Sequence, residues 1–565
     1  MGIFISLLAL LLFLPQVVLA KYNPRMVPNN KYGIHVADPN DIEASAELVN
    51  SNGGEWGYVT LVIPQSDRNS GKWQGIFNTM RRLHLIPIVR LATETRGDYW
   101  TKPDTSQIRD WVSFLARLNW PIENRYVILF NEPNHANEWG GVVVPEEYAA
   151  IVVEYTKALK SASEDFFILP AGLDASANNS SDTMDEKTFL DLALSSKPDL
   201  FDDIDGWTSH SYPNPGFMGS PYARGRGTLT TFLWELDYLS RATKQRDLPV
   251  FITETGWAHV APSVENGLST VRVAENISAA AAVWSNPHIV AVTPFIYSYL
   301  TAPFDQFSWK IPGSSDFYPQ YAAYQDVPKV AGKPKQHHAF SLVSQTFPDT
   351  AVTGSTYNIL IRIKNEGQSI LNREDFHIDV NTKTRAVSHI LPLPTIEPGA
   401  EGEILFVLTA PDTTGVLSVS LELKTNDTSI VLMNKDILLV PPPSLAIQTQ
   451  LGFSTNNDAG DVRVLVYNKE ERLVFAEDHA GMKRGLIEIP TLTNVSPGED
   501  YRVVMLVPYY LPRQERVTLQ QNVNVVKMRR LWPLDFNNDG AFTPEDLLAV
   551  FHLAPGFLKS LFLTH

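Results

Sequence analysis

The amino-acid sequence predicts a multidomain chain: a (β/α)8 TIM barrel over residues 31–330, two β-sandwiches over 339–440 and 444–528, and a short segment over 531–565. Three observations carry that reading. Eight apolar, β-rich runs alternate with stretches of helical length in the first part. Past Lys329 the hydrophobic period falls to two. The run Pro441-Pro442-Pro443 cannot continue a central strand and divides the second part. At 565 residues, moreover, the chain is too long for a single core.

The eight runs are Tyr32–Ala37, Tyr58–Ile63, Ile86–Leu91, Tyr126–Phe130, Phe166–Ala171, Ile204–Ser209, Val250–Thr253 and Ile289–Phe295. Each reads as continuously apolar, as a parallel strand covered on both faces must. Between them lie helical patterns such as Thr105–Leu118, Pro145–Ala162, Thr230–Lys244 and Thr270–Trp284. Eight such units fit a closed barrel better than an open sheet. No glycine-rich phosphate loop follows the first run, which weighs against a dinucleotide-binding sheet. Val330–His338 is short, polar and basic, and reads as a linker. Beyond it Tyr357, Ile359, Ile361 and Ile363 recur with period two on one face. Leu417, Val419, Leu421 and Leu423 do the same against Ser418, Ser420 and Glu422. Half-buried strands of a sandwich produce this pattern, and Val462, Val464 and Val466 begin a second such region.

Ile3–Ala20 is apolar, carries no charge and ends Val18-Leu19-Ala20, so residues 1–20 read as a secretory signal peptide. The protein is then expected outside the cell or at its surface; an uncleaved anchor is the other reading of the segment. The chain has no cysteine, which excludes disulfides, thiol catalysis and thiolate metal sites. A formal charge of −16 argues against a nucleic-acid partner.

Two glutamates stand immediately after apolar runs. The fourth run ends in Asn131-Glu132-Pro133-Asn134, and the seventh in Glu254-Thr255-Gly256-Trp257. In a barrel those positions lie at the C-terminal mouth, where barrel enzymes keep their chemistry. A carboxylate there is costly unless it is exposed in a cleft, hydrogen-bonded or used. Two carboxyls facing each other, one protonated and one ionised, are what retaining glycoside hydrolysis requires.

The same residues carry a resemblance. Asn131-Glu132-Pro133, with Glu254 in Thr253-Glu254-Thr255-Gly256-Trp257, resembles clan A of the retaining glycoside hydrolases, which includes cellulases, mannanases, xylanases and β-galactosidases. The resemblance implies Glu132 as acid/base and Glu254 as nucleophile on a β-linked glycan, with an oligo- or polysaccharide as substrate and no cofactor for catalysis. It implies that Asn131 bonds the sugar 2-hydroxyl. The sixth run ends Ser209-His210-Ser211-Tyr212, similar to the His-x-Tyr of the clan's cellulase-like family. Tyr212 would then hold Glu254, and His210 would border the same subsite. The cellulase-like arginine near the end of the second strand is missing, since Thr60 stands in that run. Arg90 either takes a similar place or pairs with a core acid. Tyr297 occupies the position where a tryptophan platform is expected. His35 closes the first run, His135 follows the catalytic loop, and Trp100, Trp139 and Trp257 sit in loops where aromatic faces could stack on sugars.

Near the C-terminus, Asp535, Asn537, Asp539, Thr543 and Asp546 offer side-chain oxygens at positions 1, 3, 5, 9 and 12 of a calcium-type loop. Ala541 adds its carbonyl, and Gly540 stands at the sharp turn. The loop predicts Ca2+ binding. With Leu547-Leu548-Ala549-Val550-Phe551 behind it, it resembles one repeat of a dockerin, and the sandwiches resemble immunoglobulin-type domains. That implies a calcium-stapled cap or a tail for a cohesin-like partner at the cell surface. Two rival functions remain at this stage: a non-catalytic carbohydrate-binding scaffold, and a transglycosylase with the same site.

Overall fold

The computed structural model describes residues 22–245, 247–263, 265–382, 388–390, 392–425 and 428–550. The predicted signal peptide and the end of the dockerin-like segment lie outside the described residues. Two compact units divide the chain. One runs up to His338 and includes Gly367–Ser369; the other takes Ala339–Glu366 and the chain from Ile370 onward.

The first unit is built on eight parallel strands: β1 (Gly33–Val36), β2 (Gly57–Pro64), β3 (Leu85–Ala92), β4 (Arg125–Leu129), β5 (Phe166–Pro170), β6 (Trp207–His210), β7 (Val250–Glu254) and β8 (Ile289–Val292). A helix follows each in turn: α1 (Ile42–Val49), α2 (Ser70–Arg82), α3 (Ile108–Arg117), α4 (Pro145–Ala162), α5 (Glu186–Ser196), α6 (Thr231–Ala242), α7 (Thr270–Trp284) and α8 (Pro319–Gln325). Local signals start the helices. Pro145 opens α4 with Glu146 and Glu147 in its first turn, and Ser269 caps α7 by accepting from the Arg272 amide.

Strands β1 to β5 pair in sequence order, as do β6 to β8. Two seams close the ring. At one, Tyr32 bridges Val292, and the Val292 amide donates to the Lys31 carbonyl at 2.8 Å. At the other a side chain does the joining. The Ile168 amide donates to Asp205 Oδ2 at 2.7 Å, and the Asp205 amide returns a bond to the Ile168 carbonyl at 3.0 Å.

Alternate residues of each strand serve two apolar clusters. Tyr58, Ile86, Ile88, Tyr126, Ile128, Phe167, Leu169 and Phe251 fill the barrel interior. Val59, Leu61, Val89, Leu91, Val127, Ile168, Val250 and Ile252 pack outward beneath the helices. Burial on both faces explains the continuous apolar runs.

One polar pair interrupts the outer layer. Glu186 on α5 and Glu235 on α6 are fully buried together behind β6, with Arg226 Nε 3.3 Å from Glu186. Burial, and for Glu186 the neighbouring Glu235, raises both carboxyl pKa values above the ordinary range. A carboxyl raised in the folded state keeps its proton where the unfolded chain has lost it. Stability therefore falls as pH climbs from the ordinary carboxylate value through the folded one. Glu235→Gln removes one charge at constant shape. It is expected to stabilise the fold by about 1–3 kcal/mol at pH 8 and to flatten that decline, checked by thermal melts between pH 5 and 9.

The second unit contains two pairs of sheets, each around its own apolar cluster. Ile359, Ile361 and Ile363 meet Leu417, Val419, Leu421 and Leu423 in the first. Val462, Val464 and Val466 meet Leu445 and Ile447 in the second. The alternation read from sequence is thus an inward face and an outward face. Among the described residues no helix is long and apolar enough to cross a membrane.

Candidate active site

The ends of β4 and β7 are both irregular, and the irregularity aims the glutamates. Along β4, Tyr126 and Ile128 point into the barrel. Phe130 then adopts φ +73° and Glu132 φ +26°, left-handed conformations that a non-glycine residue rarely takes. The turn sends the Phe130 ring against Trp139 and Tyr155, while Asn131 and Glu132 both line a cleft. On β7, Ser209 of β6 pairs with Ile252, but His210 pairs with Glu254. That extra residue re-aims the strand, so that Glu254 faces inward although Phe251 already does.

The cleft at this mouth has a volume of about 380 Å³. Arg90, Asn131, Glu132, Tyr212 and Glu254 line it, with Trp100, Phe217, Phe295, Phe304 and Phe307 as its aromatic surface. Donor atoms of Glu132, His210 and Glu254 all fall within 4.8 Å of one another.

The two carboxyls have different surroundings. Glu254 is buried; Arg90 Nη1 donates to its Oε1 at 2.5 Å and the Tyr212 hydroxyl to its Oε2 at 3.1 Å. Burial alone would raise its pKa. The charges of His210 and Arg90 outweigh burial and hold it at about 2. His35 adds no charge at neutral pH, because burial, together with Arg90, keeps its own pKa at about 3. Glu132 is more exposed, and its Oε1 pairs with His210 Nδ1 at 2.7 Å. For His210 burial opposes the charged form, but Glu254 and Glu132 more than offset it and raise the pKa. Gly172 makes room for this imidazole: any side chain there would collide with the His210 ring.

Among the described residues this trio is also the one set of three or more His, Asp or Glu whose donor atoms converge closely enough for a cation. The chemistry disfavours one. His210 Nδ1 is engaged by Glu132, and the Arg90 guanidinium already neutralises Glu254.

Most of the residues singled out from sequence meet here, and four do not: Trp257, Tyr297, His35 and Trp139. Arg90 pairs with Glu254 itself, which settles its two alternatives against a core acid. Trp257 is no platform. Gly256, at φ +139°, turns the chain so that Trp257 packs in the core and its indole N–H donates to the Gly219 carbonyl at 2.8 Å. Tyr297 is likewise buried, its ring against Phe317 and Tyr321, and Phe295 faces the cleft instead. His35 lies beneath the floor against the Phe295 ring, with neither ring nitrogen hydrogen-bonded. Trp139 is buried; Trp100 does line the cleft. His135 lines it too, with Nε2 3.0 Å from Asp174 Oδ2. Sequence reasoning passed over Asp174 and Glu138. Both are acids close behind a strand end, the same signal that marked Glu132.

The C-terminal loop holds its acids differently. Asp546 Oδ1 accepts from the Phe536 and Asn537 amides, and Oδ2 from the Thr543 amide at 2.7 Å, capping the helical turn that follows. Asp535 accepts from the Asp539 and Gly540 amides. The carboxylates of Asp535, Asp539 and Asp546 do not converge within 4.8 Å.

No family model matches the chain, and no curated protein sequence does. Solved structures similar to it include a family 39 glycoside hydrolase from the gut symbiont Bacteroides cellulosilyticus WH2, at 12% identity over 69% of this chain and 82% of that one, TM-score 0.38. An endo-1,4-beta-mannanase from Eisenia fetida is 10% identical over 55% and 94%, TM-score 0.36. A GH128 endo-beta-1,3-glucanase from Amycolatopsis mediterranei is 12% identical over 53% and 99%, TM-score 0.31. At such low similarity the chemistry has to be argued from this chain's own residues.

Proposed function

We propose that this chain is an exported retaining glycoside hydrolase acting on a β-linked glycan, with Glu254 as nucleophile and Glu132 as acid/base. One observation carries the reading: two carboxyls close together, in environments that separate their roles. Retaining enzymes hold the pair about 5–5.5 Å apart, inverting ones about 6.5–9.5 Å apart to admit a water. One oxygen of Glu132 lies within 4.8 Å of one oxygen of Glu254, an approach that supports the first. The charges of His210 and Arg90 keep Glu254 ionised, and the bonds from Arg90 and Tyr212 orient it for attack on the anomeric carbon. Glu132, in contact with the imidazole of His210, protonates the departing oxygen and then takes a proton from the incoming water. Asn131 lines the cleft and would bond the sugar 2-hydroxyl, and the cleft-lining Trp100 and Phe304 would pack on sugar C–H groups. The charge-free apolar segment Ile3–Ala20 supports export.

The test is a screen of aryl β-glycosides and β-linked polysaccharides, followed by proton NMR of the first product anomer. Retention is expected; an inverted first product, or no cleavage of any substrate, rejects the proposal. Accumulation of longer oligosaccharides in place of hydrolysis products would make the chain a transglycosylase.

For the C-terminal loop we propose Ca2+ binding. The donor set is all oxygen, and Gly540 at φ +87° supplies the turn. Calorimetric titration of the full chain with Ca2+ is expected to show one site, lost in Asp535→Ala. No heat of binding in the unaltered protein would sink it.

A further inference from the structure

The chain carries a formal charge of −16, yet one end of the second pair of sheets in the second unit is basic. Strands Leu486–Ile489, Ser444–Gln448 and Val523–Lys527 form a sheet there, in that order. In its last row Lys527 stands in register with Gln448, and Gln448 with Leu486. Just past that row Thr449 is held between two chains. Its amide donates to the Gly485 carbonyl at 2.9 Å, and its hydroxyl to the Arg529 carbonyl at 3.1 Å. Lys483 and Arg484 therefore lie on one flank of Thr449, and Lys527, Arg529 and Arg530 on the other. Arg513, on the strand Tyr510–Thr518 of the other sheet, joins them through its Nε, which donates to the Arg530 carbonyl at 3.3 Å. All of these side chains but the half-buried Arg513 are exposed, and among the described residues none of them is in an ion pair. Two acids border the patch: Glu488, one row further along the sheet, and Asp458, whose Oδ1 accepts from the Arg484 amide at 2.7 Å.

Aromatic rings continue the same surface. The Arg530 guanidinium lies 5.8 Å from the Trp532 ring centroid, and the Phe453 ring lies 5.7 Å beyond. Gly452 allows this, since a side chain there would collide with the Trp532 ring. Phe453 is 72% exposed and Trp532 39%, so neither ring is spent on the core.

Charge and ring faces together select the occupant. A guanidinium grips a carboxylate with two parallel hydrogen bonds. Indole and phenyl faces pack on the C–H faces of sugars. The surplus of acids elsewhere in the chain repels a densely charged polyanion, which disfavours a nucleic acid or an anionic bilayer. A polymer in which single charges alternate with bare sugar faces matches guanidinium groups set beside rings. We propose that this patch is a docking surface for a polyuronate, a polysaccharide that bears carboxylates. The choice of a glycan rests on the glycosidase reading; the juxtaposition of charges and rings does not. A polymer held there stays at high effective concentration for the cleft of the same chain.

Binding is measured on the full chain carrying Glu254→Ala, so that no probe is consumed. EDTA silences the C-terminal loop, and salt is kept at about 0.1 M, where charges are screened beyond about 10 Å. Calorimetry against β-linked polymannuronate and against polygalacturonate is expected to show saturable binding to at least one, weakening as salt is added. Arg484→Gln combined with Arg529→Gln is expected to weaken it about tenfold or more. Neither side chain makes a hydrogen bond among the described residues, so the fold should be unchanged by circular dichroism. Trp532→Ala is expected to weaken binding severalfold; should it fail to fold, the glutamine pair alone decides. With Glu254 intact, cleavage of a small aryl β-glycoside is expected to be unaltered by these substitutions. Dextran sulfate, a DNA duplex and vesicles of phosphatidylglycerol and phosphatidylcholine are the comparison probes. Binding to any of these as tight as to the better polyuronate overturns the proposal, as does polyuronate binding unaffected by the glutamine pair, or none at all. Binding without cleavage of any glycoside removes the glycosidase reading and leaves the surface standing; cleavage without binding does the reverse.

Discussion

Alanine in place of Glu254 is expected to lower kcat on any cleaved glycoside by a factor on the order of 10⁴–10⁶, with the fold intact. The side chain has no substitute in the cleft. Glu132 is turned toward His210, Asp174 toward His135, and neither has an Arg90 beside it. Because His210 and Arg90 hold Glu254 at about 2 in spite of its burial, its ionisation is complete throughout the mildly acidic and neutral range. Loss of activity on the acid side should therefore not begin at the ordinary carboxylate value near 4.5. Steady-state kinetics of the variant and of the unaltered protein from about pH 3 to 8 check both points. Activity within tenfold of the unaltered protein would remove Glu254 from the mechanism.

Alanine at Glu132 is expected to cost about 10²–10⁴ in kcat, the range of a positioned general acid. The loss should depend on the leaving group. A dinitrophenolate departs without a proton and should be cleaved at a rate much nearer to that of the unaltered protein, whereas an alkyl or sugar leaving group should not. Comparing aryl glycosides of graded leaving-group acidity measures this directly; a loss uniform across the series would argue that Glu132 shapes the cleft without moving a proton.

Sequence made the glutamates legible and the cleft around them only partly so, for definable reasons. Strand ends could be read because a strand buried on both faces leaves an apolar run, and a run that stops at Asn131-Glu132 or at Glu254 marks the mouth. The register change on β7 could not be read, since pairing His210 with Glu254 is a property of two strands together. Arg90 stayed ambiguous because its partner lies 164 residues away and is named only by barrel closure. Trp257 misled because proximity in sequence was taken for proximity in space, and one glycine between it and the strand undid that. Tyr297 failed in a related way: the cleft takes Phe295 and leaves Tyr297 to the core. The period-two pattern of Ile359–Ile363 and Leu417–Leu423 transferred directly into an inward face, because alternation needs no partner to be visible.

The ring of strands is five plus three, and the reacting groups do not sit on one side of that division. Glu132 and Arg90 belong to the five-stranded arc, Glu254 and His210 to the three-stranded arc. The Arg90–Glu254 and Glu132–His210 pairs each reach from one arc to the other, and one junction between the arcs includes the buried carboxylate of Asp205. Asp205, which lines no part of the cleft, thus helps to hold together the two arcs that carry the facing carboxyls.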